Sequence, residues 1–145
     1  MIIHFICTGN IYRSRLAEAY CASKSLPGVC VLSSGIQTAL NRGIPIAPYA
    51  AEILRAHGLE RWAAHSSQQT TAALVRASDI LVFMEYEHYD FCEDWVDSSR
   101  HTVQIWDIPD VGSEVGTAEI MTKVERTFGV IRQRADGLLT ELGFS

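Results

Sequence analysis

The chain has 145 residues, 48% of them hydrophobic and 20% charged, with a formal net charge of −5 at pH 7. That length and balance suit a single folded domain over residues 1–145 and exclude a disordered chain. The acidic balance, with no block of Lys and Arg, argues against a nucleic-acid partner.

Taken in chain order, residues 2–6 (Ile-Ile-His-Phe-Ile) are too uniformly apolar for a half-exposed strand and predict a buried one. Residues 14–25 carry Leu16, Ala19, Tyr20 and Ala22 at helical spacing, and 29–33 form a second strand closed by Gly35. Ala47-Pro48 opens a helix that Gly58 stops. A short helix over 70–77 leads into a third buried strand over 79–84, and a further helix falls within 86–96. Strand four spans 102–106, and 117–142 is a long closing helix weakened by Gly129 and Gly137. This alternation predicts a three-layer α/β fold: a four-stranded parallel sheet in the flavodoxin-like order 2-1-3-4, flanked by helices on both faces. The loop after strand one then lies at a topological switch point, outside the carboxyl ends of the strands, where such sheets bind ligands.

That loop reads Cys7-Thr8-Gly9-Asn10-Ile11-Tyr12-Arg13-Ser14. A thiol and a guanidinium with five residues between them, at a strand end and a helix start, suit a sulfur nucleophile beside a bound phosphoryl group. Backbone N–H groups from Thr8 to Arg13 can curl into an anion nest at the helix amino terminus. Such settings lower a cysteine pKa from ~8.5 to roughly 3.5–7.5. Arg13 offers a planar fork to two phosphoryl oxygens, Gly9 allows close backbone approach, and Asn10 tolerates a positive φ. Ser14 is placed to donate its hydroxyl to the sulfur. No Gly-Lys-Ser/Thr follows, which excludes a Walker-type loop.

The four cysteines, Cys7, Cys21, Cys30 and Cys92, show no Cys-x-x-Cys spacing, so neither zinc nor a disulfide scaffold is expected. No cofactor is expected. With no apolar run near ~18 residues there is no membrane insertion, and the expected compartment is the reducing cytoplasm, with Cys7 a free thiol.

Beyond the loop, Leu16-Ala17-Glu18-Ala19, Ser33-Ser34-Gly35, Gly58 with His65, Asp79 to Glu85, and Trp106-Asp-Ile-Pro-Asp110 follow at ordered intervals. Together with the Cys7 to Ser14 loop, these motifs resemble the low-molecular-weight protein tyrosine phosphatases over essentially the whole chain. The resemblance implies a cysteinyl-phosphate mechanism without a metal. Cys7 is then the nucleophile, Arg13 and the loop from Thr8 to Ser14 the phosphate clamp, and Asp110 the general acid and base, with Asp107 its rival three residues earlier. It also implies that Asn10, Ser14, Ser33 and His65 form the hydrogen-bond network supporting the loop. The implied partners are a phosphotyrosine-bearing protein, with a bacterial tyrosine kinase as one candidate, and phosphate or other oxyanions in the loop.

The chain departs from the family pattern at several places. Val111 stands where a Pro is usual, and Gly112-Ser113 replace two aromatics, which predicts a looser acid loop and a thinner cleft wall. Tyr12 replaces a second cysteine. Arg15 replaces a frequent Pro and is expected to add charge beside the pocket mouth. Tyr12 and Leu40 are candidate cleft-wall residues, and Tyr86 and Tyr89, at helical spacing, are expected to pack. Arsenate reductase, phosphoarginine phosphatase and a weakly catalytic phosphotyrosine-binding module stand as alternatives. The first would need a relay cysteine, for which only Cys92 offers itself; the second resembles a loop with Thr in place of Ile11.

Overall fold

In the computed structural model, which describes residues 1–41, 44–63, 65–111 and 117–144, the first strand β1 (Ile2–Cys7) is buried from Ile3 onward. A strand buried on both faces needs neighbours on both edges and helices above and below. It pairs in parallel with β2 (Cys30–Gly35), from Ile2 opposite Cys30 to Cys7 opposite Gly35. On its other edge it pairs in parallel with β3 (Ile80–Phe83), which in turn pairs with β4 (Thr102–Ile105). The order is β2-β1-β3-β4, the predicted one. β1 is therefore central, and its carboxyl end lies where the sheet changes direction.

Side chains alternate across the sheet. Ile3, Phe5 and Cys7, with Ile80 and Val82, enter the core under α1 (Arg13–Ser23), α2 (Pro48–Ala56) and α5 (Thr117–Glu141). Ile6, Leu81 and Phe83 face the other way, toward Val75 of α3 (Ala72–Ala77) and Cys92 of α4 (Tyr86–Cys92). α5 runs unbroken through Gly129 and Gly137, because Val124, Phe128, Ile131, Ala135 and Leu138 recur at steps of four and three and are all buried. That packing outweighs the ~1 kcal/mol each glycine costs relative to Ala.

The one polar side chain inside β1 is His4, fully buried on the α3–α4 face. Ser78 Oγ donates to the Leu74 carbonyl, so it accepts from His4 Nδ1 at 3.0 Å. His4 Nε2 then accepts from Ser34 Oγ at 2.7 Å, and Ser34 in turn lies 2.6 Å from Thr70 Oγ1. Burial pushes the pKa of the ring down to about 3, which keeps it in this neutral form. Among the described residues no helix is long and apolar enough to cross a membrane.

Candidate active site

β1 ends at Cys7 and α1 begins at Arg13, so the five residues between must reverse the chain over the carboxyl end of the sheet. Asn10 does this with φ of 57°, a left-handed conformation that Asn tolerates better than most residues. The end of β2 holds the loop from below: Ile36 N–H donates to the Cys7 carbonyl and Gln37 N–H to the Thr8 carbonyl. A Cβ on Gly35 would lie 2.6 Å from the Thr8 carbonyl oxygen and 2.7 Å from the Asn10 nitrogen, so the close approach requires Gly there.

Asn10 uses its whole amide. Its Nδ2 donates to Ser14 Oγ at 2.8 Å and to Ser33 Oγ at 2.9 Å, and its Oδ1 accepts the Gln68 N–H at 2.9 Å. Because Ser14 Oγ accepts from Asn10, its own hydrogen is free for Cys7 Sγ, 2.9 Å away. The Asn10 N–H also points at Sγ, at 3.3 Å. Two donors thus converge on one sulfur.

Behind this lies a residue the sequence reading passed over. Ser33 Oγ donates to Glu18 Oε1 at 2.8 Å, and Glu18 Oε2 pairs with His65 Nε2 at 2.8 Å. His65 therefore reaches the loop through Glu18 and not directly, and its bond to that carboxylate raises its pKa. A lone Glu inside the apolar block Leu16-Ala17-Glu18-Ala19 was the available signal.

The position expected for Arg15 is corrected. Its side chain is fully buried, not at the pocket mouth. The helix register turns position 15 inward, where Nη2 donates to the Ala63 and His65 carbonyls at 2.9 and 2.5 Å, and Nε lies 3.6 Å from Glu18 Oε1. A guanidinium can be buried there because a carboxylate three residues on faces it.

Above the loop is a cavity of about 230 Å³ lined by Cys7, Thr8, Gly9, Ile11, Tyr12, Arg13, Gln37, Asn41, Tyr49 and Asp110. Asn10, Ser14, Ser33 and His65 lie beneath or behind this lining. Asp110 borders the cavity with its Oδ2 3.7 Å from Arg13 Nη2. Asp107 is exposed outside it, at φ of 56° in the turn that returns Ile108 to the core. Arg13 is itself fixed by Glu85 and by the Ile108 carbonyl, which accepts from Nη1 at 2.8 Å.

Tyr12 borders the cavity at 3% exposure, with its ring edge-on to Tyr49 at 5.1 Å between centroids. Tyr49, from the first turn of α2, brings an aromatic wall that the sequence did not suggest; burial and then Asp110 push its phenol up to about 12. The side chain of Leu40, and Gly112 and Ser113, lie outside the described residues. Tyr89 packs on Phe83, whereas Tyr86 is largely exposed, and neither lines the cavity. Cys92 is buried on the opposite face of the sheet from Cys7.

A sulfur receiving two hydrogen bonds, a fixed guanidinium and a carboxylate thus face one cavity at the carboxyl end of β1, an arrangement of the cysteine-loop kind. Residues 2–143 match the family model for low molecular weight phosphotyrosine protein phosphatase, and the chain belongs to that family. It is 42% identical over 80 residues to a protein named probable low molecular weight protein-tyrosine-phosphatase EpsP of Ralstonia nicotianae, covering 55% of this chain and 52% of that one. It is also 43% identical over 67 residues to a protein-arginine-phosphatase of Geobacillus stearothermophilus, covering 46% of this chain and 43% of that one. The matches thus span about half the length of the curated relatives. Among solved structures, Vibrio vulnificus Wzb in complex with benzylphosphonate superposes with a TM-score of 0.79 at 25% identity over 97% of both chains.

Proposed function

We propose that this protein hydrolyses aryl phosphate monoesters, phosphotyrosine in proteins above all, through a cysteinyl-phosphate intermediate, in the cytoplasm. The observation that carries the reading is the sulfur of Cys7 at the floor of the cavity, with Arg13 and Asp110 on its wall. Cys7 Sγ attacks phosphorus and the bond to the tyrosyl oxygen breaks. Arg13 and the loop amides hold the three equatorial oxygens as charge shifts onto them, and Asp110 gives its proton to the departing phenolate. Asp110 then takes a proton from water as that water attacks phosphorus. The S–P bond breaks, and Ser14 stabilises the sulfur as it regains negative charge.

The aryl preference is supported by Ile11, Tyr12 and Tyr49 around the opening, and by the benzylphosphonate bound to the Vibrio relative. The arginine-phosphatase relative supplies the second reading, which differs in the leaving group and not in the loop. Arsenate reduction finds no support in Cys92, which lies across the sheet. The protein substrate is a tyrosine-phosphorylated one, a bacterial tyrosine kinase being the candidate of choice.

The test is turnover of para-nitrophenyl phosphate, then of phosphotyrosine and phosphoarginine peptides. Wild type turns over the aryl ester and Cys7→Ser does not. Asp110→Ala loses about 10²–10⁴-fold in kcat, the usual worth of a general acid, and Asp107→Ala keeps its activity. A wild-type protein that binds phosphate without turnover sinks the enzymatic reading. Faster release of phosphate from the arginine peptide than from the tyrosine peptide replaces the substrate.

A further inference from the structure

On the wall of the cavity, four residues close a ring of hydrogen bonds. Arg13 Nη1 pairs with Glu85 Oε1. Glu85 caps α4, its backbone N–H donating to His88 Nδ1 at 2.9 Å while its carboxylate accepts the His88 N–H. His88 Nε2 meets Thr8 Oγ1 at 2.9 Å, and Arg13 Nη2 donates to the same oxygen at 3.3 Å.

Following the protons round this ring leaves one over. A backbone N–H can only donate, so His88 Nδ1 must accept and carries no hydrogen. The neutral ring then bears its hydrogen on Nε2, which donates to Thr8. Burial, with Arg13 nearby, lowers the His88 pKa to about 4, which agrees with this neutral form. Thr8 Oγ1 thus accepts twice, from His88 and from Arg13, and both of its lone pairs are taken. Its own hydrogen has no acceptor among the described residues, and Thr8 is one of the residues lining the cavity.

We propose that the Thr8 hydroxyl is a substrate-contacting donor: it gives its hydrogen to a non-bridging oxygen of the bound phosphoryl group, beside the Arg13 fork. The proposal rests on the reading of the loop as a phosphoryl site and adds a side-chain donor to its backbone ones. Its logic is pre-organisation. With both lone pairs occupied by fixed donors, the hydroxyl cannot accept from anything in the cavity, and its rotor settles toward an oxyanion before one arrives. A valine at position 8 would keep the shape and lose the donor. A serine would keep the donor.

Inorganic phosphate, titrated calorimetrically against the whole protein, reads this without depending on turnover. Thr8→Val weakens phosphate binding about tenfold, the lower end of what a hydrogen bond to a charged group is worth. Thr8→Ser restores it to within about twofold, since the same donor is present. A structural role, with Thr8 serving only as the acceptor for His88 and Arg13, is separated by repeating the substitution in His88→Leu and Arg13→Lys backgrounds. A direct contact keeps the tenfold loss there, whereas an acceptor role makes it vanish.

Thr8→Val binding phosphate as wild type does, or losing its effect in either background, overturns the proposal. A wild-type protein with no affinity for phosphate would instead overturn the shared reading of the loop, a distinct result.

Discussion

Gly35 sits against the candidate catalytic loop and Gly9 within it, yet they differ in what a side chain would meet. At Gly9 an added Cβ lies 2.5 Å from Asn41 Nδ2, the far end of a side chain that can swing away. At Gly35 the nearest atoms are loop backbone, the Thr8 carbonyl and the Asn10 nitrogen, which cannot move without distorting the cradle. Gly35→Ala is therefore expected to cost about 1–3 kcal/mol in urea unfolding, the range for overpacking, and to weaken phosphate binding. Gly9→Ala loses less in both measurements, and equal losses would contradict the contrast. The sequence made Cys7, Asn10, Arg13 and Ser14 legible because they are neighbours, and strand–loop–helix geometry brings them together without knowledge of the rest. Glu18, Gln68, Glu85 and His88 were not legible as site residues. Their roles depend on which side chains of distant segments share one small volume, and no spacing in the sequence encodes that. Arg15 was misplaced for a related reason: a charge is expected outside until a buried partner is seen.

At the scale of elements, apolar runs and turn residues located, among the described residues, the four strands and the five α-helices within a few residues. Burial on both faces leaves an unmistakable run in β1 and β3. The ends were less legible. The last two residues of β2, Ser34 and Gly35, are polar or small because the strand continues past the core to brace the loop. α3 starts two residues late because Thr71 serves as its cap, its Oγ1 accepting the Leu74 N–H at 3.2 Å. Gly129 and Gly137 were expected to weaken the closing helix, and packing against α1 and α2 holds it as one element. The aromatic wall lost from the acid loop reappears on α2, in Tyr49. A one-dimensional reading cannot see such an exchange between elements, since either position fills the same space.

For the molecule as a whole, the buried histidines set the response to acid. His4 and His88 have pKa values lowered to about 3 and about 4, against an ordinary value of 6.5. The unfolded chain takes up protons near pH 6.5 while the folded chain does not, so their stabilising share is whole above that pH. It is lost as pH falls below 6.5, at about 1.4 kcal/mol per unit for each group. His65 has the opposite sign: its raised pKa adds stability below 6.5 that disappears as pH rises through the raised value. Its side chain is 46% exposed, so the two buried rings outweigh it. The urea midpoint is therefore expected to fall steadily between pH 6.5 and 4.5, and a flat profile would contradict the neutral assignment of both rings.

The placement of the four cysteines has a separate consequence, for survival under oxidants. Cys92 faces the other side of the sheet from Cys7. Cys21 lies about 12 Å along α1 from Arg13, and Cys30 about 16 Å down β2 from Gly35, the partner of Cys7. A disulfide needs α-carbons within about 7 Å, so a sulfenic acid formed on Cys7 has no thiol of its own chain to condense with. It proceeds instead to the sulfinic state, which thiol reductants do not reverse. Peroxide is expected to inactivate the protein with little recovery in dithiothreitol; full recovery, with an intramolecular disulfide seen by mass, would contradict it. Unless an outside thiol caps the sulfenic acid first, a burst of peroxide acts on this molecule as a lasting off-signal.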